Sequence, residues 1–195
     1  ITSQDEQIVT PQELAQGWRL ACRARADSPL KLDCRPCDTV VLSDDARFPI
    51  AGRQGLGVAV DIGTTTVVAQ MVDLATGALL AQRDGVNPQA VRGADVMSRI
   101  RFALGSDQLT KAIREFVGSM IADMASGREP EIREVVMVGN TVMHHLFANL
   151  NVQPLSYVPF SSPELREQVF SSASLGWPLP ESVLIRFLPC IGGFV

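Results

Sequence analysis

Three apolar segments separated by short polar turns follow one another between residues 57 and 82. The first, 57–62, is apolar except for Asp61, and the second, 67–74, is apolar except for Gln70 and Asp73. Ala75-Thr-Gly77 is a turn signal, and a third strand begins at residue 78. The pattern predicts a three-stranded antiparallel meander over 57–84.

The remaining part of the chain alternates between helical and extended patterns. Apolar residues between 107 and 126 recur three or four positions apart, which predicts an amphipathic helix. Further elements are expected over about 93–104 (helix), 134–138 (strand), 142–149 (helix) and 183–188 (strand). The stretch 151–181 is rich in Pro and Ser and predicts a long surface excursion. The fold class is therefore α/β.

The first 55 residues have a different character. Thr10-Pro-Gln-Glu13 is a helix start, since Thr10 can cap and Pro11 suits the first helical position. Short strands are expected at 30–34 and 39–42, and 43–55 is polar. We expect one domain over 1–42, a linker over 43–55 and a second domain over 56–195. The chain starts with Ile1, and we expect it to be part of a longer protein.

Composition narrows the function classes. The net charge of −4 gives no basic field for nucleic acid or an acidic membrane surface. The longest uncharged run, 135–163, contains Asn, His and Gln residues, so we expect no membrane span. With no secretory signal, we expect a cytoplasmic protein whose four cysteines are thiols or metal ligands.

The turn after the first strand has the chemistry of a phosphate site. Gly63 lets the backbone approach an anion, and three threonines follow it. Asp61 would repel phosphate directly, so it fits as a partner of Mg²⁺ or its water ligands. No Walker loop or dinucleotide glycine motif is present. The alternative is an ordinary hairpin with a polar tip.

Several segments resemble known proteins. Val60-Asp-Ile-Gly-Thr-Thr65 is similar to the first phosphate motif of glycerol kinases and heat-shock chaperones. The longer string Gly57-Val-Ala-Val-Asp-Ile-Gly-Thr-Thr-Thr-Val-Val-Ala-Gln70 resembles the reductive activators of corrinoid proteins. Residues 87–89 with 93–100, 139–146 and 189–195 resemble the same family.

This resemblance implies a ribonuclease-H-like first half of an actin-like ATPase domain, from the superfamily of acetate and sugar kinases, heat-shock chaperones and actin. In that domain Asp61 would organise Mg²⁺. The residues expected to hold or reach the phosphates of ATP are Gly63, Thr64, Thr65, Thr66, Gly139 and Asn140. The family's second phosphate motif would follow Val195, so we expect the printed chain to hold half a cleft and to bind ATP weakly.

The segment Gly17-Trp-Arg-Leu-Ala-Cys22 resembles the carboxyl-terminal part of a plant-type ferredoxin domain. The resemblance makes Cys22 the last of four ligands of a two-iron, two-sulfur cluster, with the first three preceding Ile1. One thiolate cannot hold such a cluster. We therefore expect the cluster in a longer protein and not in the printed chain.

The function implied by the resemblance is reductive activation. ATP would help deliver an electron from the iron–sulfur cluster to a corrinoid cobalt, returning Co(II) to Co(I). The partners would be a corrinoid protein of a methyltransferase system and an external electron donor, and the printed chain alone is expected to be inactive. The alternatives are a small-molecule kinase of the sugar-kinase type and a non-catalytic, nucleotide-dependent scaffold.

Other reactive residues carry weaker signals. Cys34 and Cys37 lack the second Cys/His pair that a zinc site needs. His144 and His145 are adjacent, and on a helix their side chains are expected to point about 100° apart and not to chelate one ion. Cys190 is expected to be a packed thiol. Asp95, which opens a helix, has no assigned role beyond its effect on the helix dipole. No functional role is assigned to Asp95, His144, His145, Cys34 or Cys37.

Overall fold

The computed structural model describes residues 11–17 and 52–192. The chain divides into two compact units, residues 1–40 and 41–195. In the first unit the described part is the short helix α1 (Pro11–Ala15). Cys22, Cys34 and Cys37, and the strands expected at 30–34 and 39–42, lie outside the described residues.

The second unit is a mixed sheet with helices. Its strands are β1 (Leu56–Ile62), β2 (Thr66–Asp73), β3 (Leu79–Val86), β4 (Ile132–Gly139), β5 (Gln168–Phe170) and β6 (Leu184–Phe187). Its helices are α2 (Val96–Ala103), α3 (Gln108–Ala125), α4 (Thr141–Ala148) and α5 (Ser172–Leu175), with 3₁₀ turns at Pro88–Arg92, Glu129–Glu131 and Gln153–Leu155.

The sheet has the order β3-β2-β1-β4-β6-β5. The first three strands form an antiparallel meander, as the sequence predicts. Strand β4 runs parallel to β1, and β6 runs parallel to β4. Parallel neighbours end at the same edge of a sheet, and the register pairs Ile62 with Gly139 at that edge.

The helices cover one face of this sheet. Val58, Val60 and Ile62 of β1 are buried on that face, together with Met137 of β4 and Phe187 of β6. The alternate residues on β1, Ala59 and Asp61, are exposed. Because side chains on a strand alternate between faces, Asp61 projects from the face opposite the core.

The predicted helices over 93–104, 107–126 and 142–149 are present as α2, α3 and α4, with bounds that differ by a few residues. The expectation that 151–181 lies wholly at the surface is wrong. Leu155 is fully buried, Trp177 is 6% exposed, and β5 joins the sheet beside β6. Trp177 donates its indole N–H to the Arg114 carbonyl at 2.9 Å. Such anchors depend on contacts with residues far away in the sequence, so the Pro and Ser content of the stretch does not reveal them.

Among the described helices, none has the length and apolarity needed to cross a membrane.

Candidate phosphate-binding site

The turn between β1 and β2 is tight and depends on Gly63. Its N–H donates to the Thr66 carbonyl at 3.0 Å, which closes the hairpin. A Cβ at position 63 would lie 2.6 Å from that same carbonyl oxygen. Backbone atoms cannot yield as a flexible side chain can, so a larger residue would open the turn.

A second glycine brings β4 close to the hairpin. A Cβ at Gly139 would lie 2.7 Å from the Ile62 carbonyl oxygen and 3.2 Å from the Phe187 ring. Gly139 therefore allows the carboxyl ends of β1 and β4 to meet without a spacer. The next residue, Asn140, begins α4 beside the hairpin.

Asn140 links α4 to the hairpin. Its Oδ1 accepts from the Met143 N–H at 3.0 Å and so caps α4, whose length is eight residues. Its Nδ2 donates to Thr64 Oγ1 at 2.9 Å. Since this bond uses Thr64 Oγ1 as an acceptor, the hydroxyl proton of Thr64 remains available to a ligand. The positive end of the α4 dipole is thereby fixed beside the turn.

Asn87 holds the hairpin from the other side and is a residue that the sequence prediction missed. Its side chain is fully buried, and its Nδ2 donates to the Gly63 carbonyl at 2.8 Å. Its backbone N–H donates to the Thr65 carbonyl at 2.8 Å. Its Oδ1 accepts from the Gln89 N–H at 3.0 Å. The Asn-Pro pair signals a turn, and nothing local indicates that the amide reaches back 24 residues.

The structure thus brings four predicted residues together at one edge of the sheet: Gly63, Thr64, Gly139 and Asn140. Thr65 is exposed at the tip and Thr66 is half-buried. Asp61 is exposed one residue before the end of β1. Backbone and hydroxyl donors beside a helix N-terminus suit an anion, and an exposed carboxylate near the end of β1 suits a hydrated Mg²⁺.

Other candidate residues have different surroundings. Asp95 caps α2: its Oδ1 accepts from the Ser98 N–H at 2.9 Å and its Oδ2 accepts from the Ser98 hydroxyl at 2.6 Å. These bonds, with the hydroxyl's contribution the largest, lower the pKa of Asp95 from its ordinary value. Asp95 therefore has a structural role in this fold, as a helix cap.

A buried cluster in the core is formed by two residues of α4, His144 and His145, together with Cys190. The sequence predicts that the two side chains leave α4 about 100° apart, and in the structure their ring centroids are 5.4 Å apart. One ligand atom from each ring and the Cys190 thiol lie within 4.8 Å of one another. The prediction of a packed thiol at Cys190 is confirmed, since its exposure is 9%. Burial lowers the pKa of both imidazoles, and for His144 the neighbouring His145 lowers it further.

Comparison with known proteins agrees with the sequence resemblance. The family model for the RACo middle region matches residues 56–195. The corrinoid activation enzyme RamQ of Eubacterium limosum is 37% identical over 148 residues, covering 71% of this chain and 25% of its own length. A solved structure described as a reductive activator for corrinoid, iron–sulfur protein superposes with a TM-score of 0.67 at 29% identity, over 74% of this chain and 24% of its own.

The chain therefore spans about a quarter of the length of these two relatives. The family match includes the hairpin, Asn87, Gly139 and Asn140. Since that match covers well over half of the printed residues, the chain belongs to the RACo middle region family of reductive corrinoid activators.

Proposed function

We propose that this chain contributes the first half of a nucleotide cleft to an ATP-dependent reductive activator of corrinoid proteins. The observation that carries the proposal is the bond between Asn140 and Thr64, which joins the hairpin to the N-terminus of α4. The family membership supplies the reaction class, since both relatives are named for corrinoid activation.

The sheet supports the finer statement about fold. An antiparallel meander followed by parallel β4 and β6, with β1 central, is the arrangement expected of a ribonuclease-H-like half of an actin-like ATPase domain. A hairpin at the carboxyl edge of β1 then faces the cleft between two such halves. On this proposal the domain comprises 56–195, preceded by a linker at 43–55 and a ferredoxin-like remnant at 1–42.

Different residues would bind the phosphates and the Mg²⁺ of ATP. The N–H groups of the turn and the hydroxyls of Thr64, Thr65 and Thr66 would hold phosphate oxygens. Asn140 would keep Thr64 oriented, and Asp61 would hold Mg²⁺ through its waters. Mg²⁺ bound there supplies charge neutralisation to the phosphates during phosphoryl transfer.

The redox step concerns one electron. A reduced two-iron, two-sulfur cluster would give up one electron, and the Co(II) of the corrinoid partner would accept it and become Co(I). In this proposal Cys22 is one of the four cluster ligands and the other three precede Ile1. An external donor would return the cluster to its reduced state. The location would be the cytoplasm, where thiols stay reduced.

ATP is needed because the transfer to the corrinoid runs energetically uphill. Binding and hydrolysis to ADP and phosphate can select a docked, closed complex and then release it. The corrinoid protein would belong to a methyltransferase system. The cleft half described above would thus act on the partner through closure and not through contact with cobalt.

The test is Asp61→Ala in a protein of the relatives' full length. Because Asp61 is exposed, the free energy of unfolding obtained from the melting curve should stay within about 0.5 kcal/mol of the parent value. Phosphate release with Mg²⁺ and ATP should fall about 10²-fold or more, as for other preorganised electrostatic groups.

The matched control is Thr65→Ala at the exposed tip of the same turn. Its effect on turnover should be milder, because the backbone donors remain. Near-normal ATP hydrolysis by Asp61→Ala, or its outright unfolding, would overturn the role given to Asp61.

A further inference from the structure

The buried cluster of His144, His145 and Cys190 joins three separate parts of the chain. The two histidines lie on α4, and Cys190 follows β6. The segment around 162–166 lies between them: Ser162 Oγ is 2.8 Å from His145 Nε2, and the Arg166 carbonyl is 3.1 Å from His144 Nε2. The Cys190 N–H donates to the Leu165 carbonyl at 3.0 Å.

The hydrogen bonds determine which ring nitrogens carry protons. A carbonyl oxygen only accepts, so His144 Nε2 must donate to Arg166 and His145 Nδ1 must donate to the Thr141 carbonyl at 2.7 Å. In the neutral rings this leaves lone pairs on His144 Nδ1 and His145 Nε2. Metal-binding histidines show this arrangement, with the second ring N–H given to a backbone carbonyl or carboxylate.

One of these lone pairs has no use within the fold. His144 Nδ1 is fully buried and has no hydrogen-bond partner among the described residues. Leaving a buried acceptor unpaired costs free energy, so such an atom calls for an explanation. The Cys190 thiol makes one weak hydrogen bond, a 3.9 Å contact with the Leu165 carbonyl.

We propose that His144, His145 and Cys190 bind one thiophilic divalent metal ion of the Zn²⁺ type. Imidazole nitrogen and thiolate sulfur are the donors that zinc prefers. Binding releases the Cys190 thiol proton. Three protein ligands leave the fourth tetrahedral position to water.

The geometry needs a modest adjustment. One nitrogen of each ring and the Cys190 sulfur lie within 4.8 Å of one another, whereas Zn–N of about 2.0–2.1 Å and Zn–S of about 2.3 Å place tetrahedral ligands roughly 3.5 Å apart. The cluster would contract by about 1 Å, and His145 Nε2 would exchange the Ser162 hydroxyl for the metal. The bound ion would fasten the exit of β6 to α4, whose N-terminus supports the hairpin.

The test uses the printed chain with Cys22→Ser, Cys34→Ser and Cys37→Ser, so that Cys190 is the remaining thiol. The metal-free, reduced protein is titrated with Co²⁺ and then with Zn²⁺. We expect one Co²⁺ per chain with a thiolate-to-metal charge-transfer band, which Zn²⁺ then removes. Cys190→Ser should abolish that band, and His144→Asn should weaken binding by at least about 10-fold.

A measurement on the background protein alone covers the case in which a ligand variant fails to fold. X-ray absorption of the zinc-loaded chain should show one sulfur at about 2.3 Å and two imidazole nitrogens at about 2.0–2.1 Å. The proposal is overturned by a metal sphere without sulfur, by a Co²⁺ spectrum unchanged in Cys190→Ser, or by no binding tighter than roughly 10⁻⁵ M. Any of these results would make the cluster a hydrogen-bonded part of the core.

Discussion

Asn87→Ala should be among the most damaging single substitutions at the hairpin, although the residue lies outside the phosphate-binding turn. The change removes the 2.8 Å bond to the Gly63 carbonyl and the 3.0 Å bond from the Gln89 N–H. Both partners lose a bond in a region where Asn87 and Gln89 are fully buried. At about 1.5 kcal/mol for each lost bond, the free energy of unfolding should fall by about 3 kcal/mol.

The assay is urea denaturation together with hydrogen exchange at the Gly63 amide. Asn151→Ala is the matched control, because Asn151 Oδ1 accepts from the Gln153 N–H at 2.9 Å in the same local geometry, but at an exposed site. Water can replace that bond, so the control should change stability by less than about 0.5 kcal/mol. In Asn87→Ala alone, protection of the Gly63 amide should fall. Equal costs for the two variants would refute the idea that Asn87 holds the hairpin.

The isosteric Asn87→Asp adds a pH test of the same contact. Its carboxyl can donate to the Gly63 carbonyl only when protonated, and burial disfavours the charged form. The folded-state pKa of the new carboxyl should therefore exceed the unfolded value of about 3.9. Stability contributed by this group is present below that unfolded value and is lost as pH rises through the folded pKa. The stability deficit relative to the parent should grow from pH 4 to pH 8, and a deficit that shrinks would contradict the contact.

Two further substitutions test the packing around the site. Gly139→Ala places a Cβ 2.7 Å from the Ile62 carbonyl oxygen and should lower the free energy of unfolding by about 1–3 kcal/mol. The control is Gly105→Ala, whose Cβ meets no heavy atom within 4 Å and should change stability little. Equal costs in thermal unfolding would contradict the close approach of β1 and β4. Thr110→Val removes a buried hydroxyl that donates to the Leu146 carbonyl at 2.6 Å and should lower the free energy of unfolding by about 1–2 kcal/mol, so an unchanged denaturation midpoint would count against that bond.

The antiparallel meander could be predicted from the sequence because its signals are local. Strands β1 to β3 follow one another with short turns, so alternation and the Ala75-Thr-Gly77 turn suffice. The hairpin chemistry also lies within six consecutive residues, 61–66. The family resemblance placed Gly139 and Asn140 at the cleft, and the parallel pairing of β1 and β4 explains why they lie at the same edge as the hairpin.

What the sequence did not reveal depends on distant contacts. Asn87 lies 24 residues from Gly63, and its amide is indistinguishable in sequence from that of any turn asparagine. The cluster behind α4 unites His144 and His145 with Cys190 across the 151–181 excursion. The helical periodicity gives the direction in which each side chain leaves the helix. It does not give the orientation of the imidazole rings, which depends on the segments that pack against them. The buried anchors of the excursion escaped prediction for the same reason.

Asp61 is exposed because successive side chains of β1 point to opposite faces of the sheet. The packing of the core therefore determines where this carboxylate lies. Val60 is 2% exposed and Ile62 is fully buried under the helices, while Asp61 between them is exposed on the other face. An unpaired carboxylate at either neighbouring position would lie in the core and cost several kcal/mol. A one-residue slip of the strand would exchange the two faces. The core thus fixes the register of β1, and that register sets a carboxylate beside the turn on the side opposite the helices. On our proposal, a hydrated metal ion would approach there without disturbing the fold.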